Sequence, residues 1–159
     1  MQNFQSYISE ETISDLDNGN TTYEEMINRL SDYPELVKFF VEQDGTQSAK
    51  ELLAYIIGFT ISCFQEESKK SFSLSINMLQ QFEDMVTNEQ GELASTNFFE
   101  NFEPHLWQVF VDTVGSAVKD QKLSDNEIVM FGRVFGSVLM CLMTICYDTT
   151  RLKAMKAYT

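Results

Sequence analysis

The sequence predicts an all-α fold, a single-domain bundle of about six to seven helices around one or two apolar central helices. Apolar residues recur at helical steps of three and four nearly throughout, and alternation of period two between turn residues is scarce. Residues 52–64 and 128–147 are apolar on almost every side, a pattern that requires other helices around them. The 159 residues are 43% hydrophobic with two prolines, so residues 1–159 suffice for one domain with its own core and no covalent cross-links.

The elements follow in order. A first helix is expected over residues 4–16, stopped by the turn sequence Asp17-Asn18-Gly19-Asn20. Thr22 and Glu25 have the capping-box spacing, and Tyr23, Met26, Ile27 and Leu30 continue as a short apolar stripe. Pro34 opens the next helix, whose face is Leu36, Val37, Phe40 and Val41, ending at Asp44-Gly45. Ser48 and Glu51 form a second box leading into the apolar run, with residues 65–70 as a polar loop.

Phe72, Ile76, Leu79, Phe82 and Val86 mark an amphipathic helix; residues 88–97 are loop-like, and Phe98, Phe99 and Phe102 suit a short turn against the core. Pro104 starts a helix with Trp107, Phe110, Val111, Val114 and Val118 on one face. Ser124 and Glu127 form the third box, and the helix behind them carries Ile128, Phe131, Phe135, Val138, Leu142 and Ile145 at steps of three and four. It is the candidate central helix. Its twenty residues contain only Arg133 as a charge, and Gly132 and Gly136 have the spacing of membrane-helix contacts. Arg133, Ser137, Thr144 and Asp148 give it a polar stripe, which favours a protein interior over lipid.

Charge bounds the partners. The net charge is −13, with 21 acids against 6 bases in residues 1–120 and 3 against 5 in residues 121–159. Between Ser71 and Val118 there is no lysine or arginine, while Glu83, Asp84, Glu89, Glu92, Glu100, Glu103 and Asp112 all carry carboxylates. A one-signed field of this kind attracts basic proteins and repels phosphate backbones and anionic membranes. Those seven acids are the leading partner-binding candidates, with Glu10, Glu11, Glu24 and Glu25 next. Direct nucleic-acid binding is disfavoured, since the only basic group is Arg151, Lys153 and Lys156.

Cys63, Cys141 and Cys146 lie in apolar helical runs, as buried thiols of a reducing compartment do. The N-terminal stretch lacks a basic region followed by an apolar one, so the expected localisation is cytoplasmic.

Two segments share the pattern D-x-x-x-S-x-x-E: Asp44 to Glu51 and Asp120 to Glu127. They have the form of the second half of a calcium-binding loop, but Phe40 or Ser116 would stand at its first position and Glu42 or Val118 at its third. Helix capping by Ser48 and Ser124 explains the same spacing with no ion. The segments also resemble the helix-opening stretches of TerB-like tellurite-resistance proteins, helical domains with acids gathered at helix starts. That resemblance implies a metal-binding stress or resistance protein, with Asp44, Glu51, Asp120 and Glu127 as the metal candidates.

Enzyme chemistry finds little to rest on. The sole histidine, His105, falls in a first helical turn, and phosphate-binding glycine loops, H-E-x-x-H and C-x-x-C are missing from the sequence. The expectation is a non-enzymatic acidic protein-binding module with no cofactor, of the physical type of toxin-immunity proteins and phage-encoded inhibitors, masking a basic partner. A homo-oligomer through residues 128–147 is the further expectation.

Overall fold

The computed structural model describes residues 5–19, 22–86 and 96–158, which are all-α with no strand among them. In chain order the helices are α1 Glu10–Asp17, α2 Tyr23–Asn28 with a 3-10 turn Arg29–Asp32, α3 Pro34–Val41, α4 Gln47–Ser68 and α5 Ile76–Val86. They are followed by α6 Thr96–Phe102, α7 Pro104–Lys119, α8 Asp125–Cys146 and α9 Thr149–Tyr158.

Local chemistry sets the helix starts. Ser9 accepts the Thr12 amide and Thr22 the Glu25 amide, while Pro34 and Pro104 occupy first turns where no amide hydrogen is needed. The first helix therefore begins at Glu10 and not at residue 4, because Ser6 and the Ile8 amide are held by Glu103 outside any helix. Helix α4 begins one turn's edge earlier than the Ser48 motif implies: Thr46 Oγ accepts the Ala49 amide at 3.2 Å, and Ser48 is exposed within the first turn. Ser48 is not the cap.

At its other end α4 continues through the expected polar loop to Ser68 and stops at Lys69, whose φ of 57° is left-handed. Its last polar residues have partners, Gln65 donating to the Tyr33 hydroxyl and Glu67 accepting the Ser9 amide at 2.9 Å. Helix α5 starts at Ile76 and not at Phe72, and the phenylalanine-rich turn is the helix α6. Most of the loop expected at residues 88–97 lies outside the described residues. On α7 the buried face is Leu106, Trp107, Phe110, Val114 and Ala117, so Val111 and Val118, placed on it by the sequence reading, are exposed instead.

Helix α8 is the centre, packed against α4 and α5, with Phe131, Val134, Phe135, Val138, Leu139 and Leu142 essentially without solvent contact. Phe110 stacks on Phe135 at 4.2 Å between centroids, and Trp107 stacks on Phe99 at 5.5 Å. A Cβ on Gly136 would stand 3.4 Å from the Phe99 ring and 3.3 Å from Val86, so the missing side chain admits α5 and α6. Gly58 does the same for α2, whose backbone at Met26 lies directly over it. The polar stripe of α8 is satisfied inside the protein: Arg133 donates to Gln43 Oε1 at 2.9 Å, Ser137 to the Leu79 carbonyl and Thr144 to the Met140 carbonyl. By length and composition α8 could cross a membrane, and most of it is buried by its own chain.

Ser124 and Glu127 form a complete capping box, each side chain accepting the other's amide. Ser124→Ala is expected to lower stability by about 1 kcal/mol, read as a fall in the thermal midpoint, because one amide at the start of α8 loses its acceptor.

Candidate functional site

The seven acids of the cation-free stretch do not share one surface. Asp84, Glu100 and Asp112 are exposed, and Glu89 and Glu92 lie outside the described residues. Glu83 is half-buried, with Oε2 3.5 Å from Arg133 Nε and 3.5 Å from Gln43 Nε2. Asp112 accepts from Gln108 at 2.8 Å. Glu10, Glu11, Glu24 and Glu25 are exposed, and Glu10 approaches His105 Nδ1 at 3.5 Å.

Glu103 is a correction to the sequence reading, for it has no solvent exposure at all. Its Oε1 accepts the Ile8 amide and the Ser6 hydroxyl, each at 3.1 Å, and its Oε2 accepts the Tyr147 hydroxyl. Burial pushes its carboxyl up to about 7, against the opposing pull of these hydrogen bonds and of the Arg151 charge. The Arg151 guanidinium lies 5.6 Å over the Tyr7 ring and 5.5 Å over Tyr147, and donates to the Gln5 carbonyl at 2.6 Å. The cluster ties residues 5–8 and α9 to the start of α7.

Two adjoining surface clefts form around residues that the sequence reading named only in part. Helices α4 and α7 run antiparallel as the two walls of a trough, and α1 lies in one half of it. The contacts fix this arrangement: Glu10 stands by His105 at the start of α7, and Thr12 Oγ1 reaches Glu67 near the end of α4 at 3.4 Å. Farther along α1, Ile13 and Asp17 meet Tyr55, Phe59, Val109 and Asp112 around a cleft of about 250 Å³. There α1 ends.

The other half of the trough is a cleft of about 700 Å³ that shares Thr113 with the smaller one. Ser48, Ala49, Glu51 and Leu52 line it from α4, and Thr113, Ser116, Ala117 and Asp120 from α7. Tyr23 from α2 and Leu123 before α8 also line it. Four of the lining residues, Ser48 and Ala49 from α4 and Ser116 and Ala117 from α7, are small. Tyr23 stacks on Tyr55 at 4.8 Å, joining the two clefts with an aromatic wall.

Asp17, Glu51, Asp112 and Asp120 rim the two clefts, and Lys122 is the only cation among their lining residues. The field is felt by the phenols. Burial raises both tyrosine pKa values, and Glu51 raises Tyr23 further while Asp17 does so for Tyr55. The arrangement offers apolar contact below and negative charge at the edges, with small hydroxyls between. Asp112 was legible as a candidate, and Glu51 and Asp120 only as metal candidates. Asp17, Tyr23 and Tyr55 come from three elements whose proximity no local motif announces.

The four metal candidates are divided. Glu51 and Asp120 line the large cleft, and Asp44 is exposed. Glu127 instead joins the two repeated segments: Oε1 accepts the Ser124 amide, and Oε2 accepts the Thr46 amide at 2.8 Å and the Thr46 hydroxyl at 3.0 Å. Backbone donation from Ser124 and Thr46 lowers its carboxyl to about 2. Among the described residues no group of three or more His, Cys, Asp or Glu side chains is placed to hold an ion. The three cysteines are buried and free, and burial raises Cys63, Cys141 and Cys146.

The chain matches no protein family, no curated protein and no solved structure.

Proposed function

We propose that this chain is an acidic protein-binding module that masks a basic surface on a partner protein, in the manner of an inhibitor or immunity protein. The observation that carries the reading is the open half of the α4–α7 trough, where Glu51 and Asp120 edge an apolar floor next to Asp17 and Asp112. The net charge of −13 supplies the long-range attraction, and the cleft supplies contact area that charge alone lacks. A partner with a nucleic-acid-binding or other cationic surface fits this combination.

The apolar residues of α8, proposed from sequence as a self-association face, are already covered within the chain; Val129 is its one large exposed apolar side chain. The trough is the better contact surface. The test is capture of partners from the native host by the immobilised protein at low and high salt. Since the screening length falls from about 10 Å at 0.1 M to about 3 Å at 1 M, a basic partner is expected to be released as salt rises. An acidic partner, or one retained unchanged at high salt, would overturn the reading.

A further inference from the structure

We propose that Glu103 is a pH-operated clasp for the two ends of the described chain: with a proton on its carboxyl it holds residues 5–8 and α9 against the start of α7, and on ionisation it releases both. The proposal stands apart from the acidic-binding reading, for none of the residues Glu103 bonds lines either cleft.

The hydrogens of the cluster carry the argument. Ser6 has one hydroxyl hydrogen but two acceptors in reach, the Ile8 carbonyl at 2.7 Å and Glu103 Oε1 at 3.1 Å. With the carboxyl ionised, only one of these contacts can be a full hydrogen bond. A proton on Oε1 resolves the shortage: Ser6 donates to Ile8, the shorter contact, and Glu103 donates to Ser6. Oε2 still accepts from Tyr147, and Oε1 keeps a lone pair for the Ile8 amide at 3.1 Å. Protonation thus adds a bond to the N-terminal segment while it removes a charge from a site with no solvent contact.

Arg151 is the one cation acting on this carboxyl, and Tyr7, Cys63, Glu67, Cys146 and Tyr147 are the other titratable groups around it. Beside it on α7, His105 meets Glu10 of α1. Burial outweighs the Arg151 charge and the donors and raises the carboxyl to about 7, which sets release near neutrality.

What the clasp holds is lightly anchored. Ile8 and Met155 are the only buried side chains that residues 5–8 and the described part of α9 contribute. Arg151 joins the two segments, donating to the Gln5 carbonyl and covering the Tyr7 and Tyr147 rings. Its Nη1 is buried with no hydrogen-bond partner among the described residues, a cost that release into water removes. The ends leave together, and their departure uncovers the face of Phe64 on which Tyr7 stacks.

The test is amide hydrogen exchange by NMR on the wild-type chain from pH 5 to pH 8, corrected for the intrinsic rate, with α4 as the reference for global unfolding. Protection of Ile8 and of α9 is expected to lie below that of residues 57–64 throughout, and to fall at both ends by about tenfold or more across this range. Glu103→Gln, neutral at every pH, is expected to remove the fall, and Ser6→Ala, which deletes the acceptor of the proton, to shrink it. Histidine also changes charge in this range, and His105→Asn is expected to leave the fall in place. A flat profile at either end, protection equal to that of α4, a fall that persists in Glu103→Gln, or one that vanishes in His105→Asn would overturn the clasp. The wild-type profile stands as the test if a variant does not fold.

Discussion

Gly58→Ala is expected to destabilise the protein by about 3 kcal/mol or more, the upper end of overpacking costs. A Cβ at this position would stand 2.1 Å from the Met26 carbonyl oxygen and 2.9 Å from its carbon. Both are backbone atoms of α2, which cannot swing aside as a side chain can. Either α2 leaves α4 or α4 distorts, and Arg29, whose guanidinium donates to Ser62 at 2.8 Å, would lose its partner as α2 moves. Gly115→Ala is the matched comparison, since nothing lies within 4 Å of its Cβ position on α7. There the better helix propensity of alanine should stabilise by up to about 1 kcal/mol. Urea unfolding of the two variants should therefore shift in opposite directions. Equal midpoints would show that the α2–α4 backbone contact is wrong.

The second large effect is a pH dependence centred on Glu103. Its carboxyl is raised from 4.5 to about 7 in the folded protein, so folding holds the proton more tightly than the unfolded chain does. The resulting stabilisation is fully present below about pH 4.5 and is lost as pH rises through about 7, a total near 3 kcal/mol. Glu103→Gln keeps an oxygen for Ile8 and Ser6 and does not titrate. It should flatten the fall in stability between pH 5 and pH 8, measured as denaturation midpoints across that range. Parallel curves for the two proteins would refute the assignment. Glu127 has the opposite sign: its carboxyl is lowered from 4.5 to about 2, so its contribution is present above pH 4.5 and disappears on acidification toward pH 2.

Periodicity reached the elements whose faces are decided along the chain. The steps of α5 and α8, the caps at Thr22 and Ser124 and the proline starts of α3 and α7 are local facts, and the structure contains them. What failed was decided across the chain. Thr46 displaces Ser48 as a cap because Glu127, far away in sequence, holds the Thr46 backbone and hydroxyl. Glu103 is inside because Ser6, Ile8 and Tyr147 together supply donors for a buried carboxylate. An acid between Phe102 and Pro104, in a run of aromatics, was the signal available. The trough is of the same kind: small residues at Ala49 and Ala117 mean little until α4 and α7 are known to face one another.

The position of α8 in the chain also bears on biosynthesis. Helix α4 is complete at Ser68, but α8, against which it packs, is complete only at Cys146. At ordinary rates of translation that separation corresponds to roughly ten seconds. During that interval Leu53, Ile57, Ile61 and Phe64, all without solvent contact in the finished protein, belong to a nascent chain in which α2 is already made and α8 is not. Closure of the core is thus postponed to the emergence of one late helix.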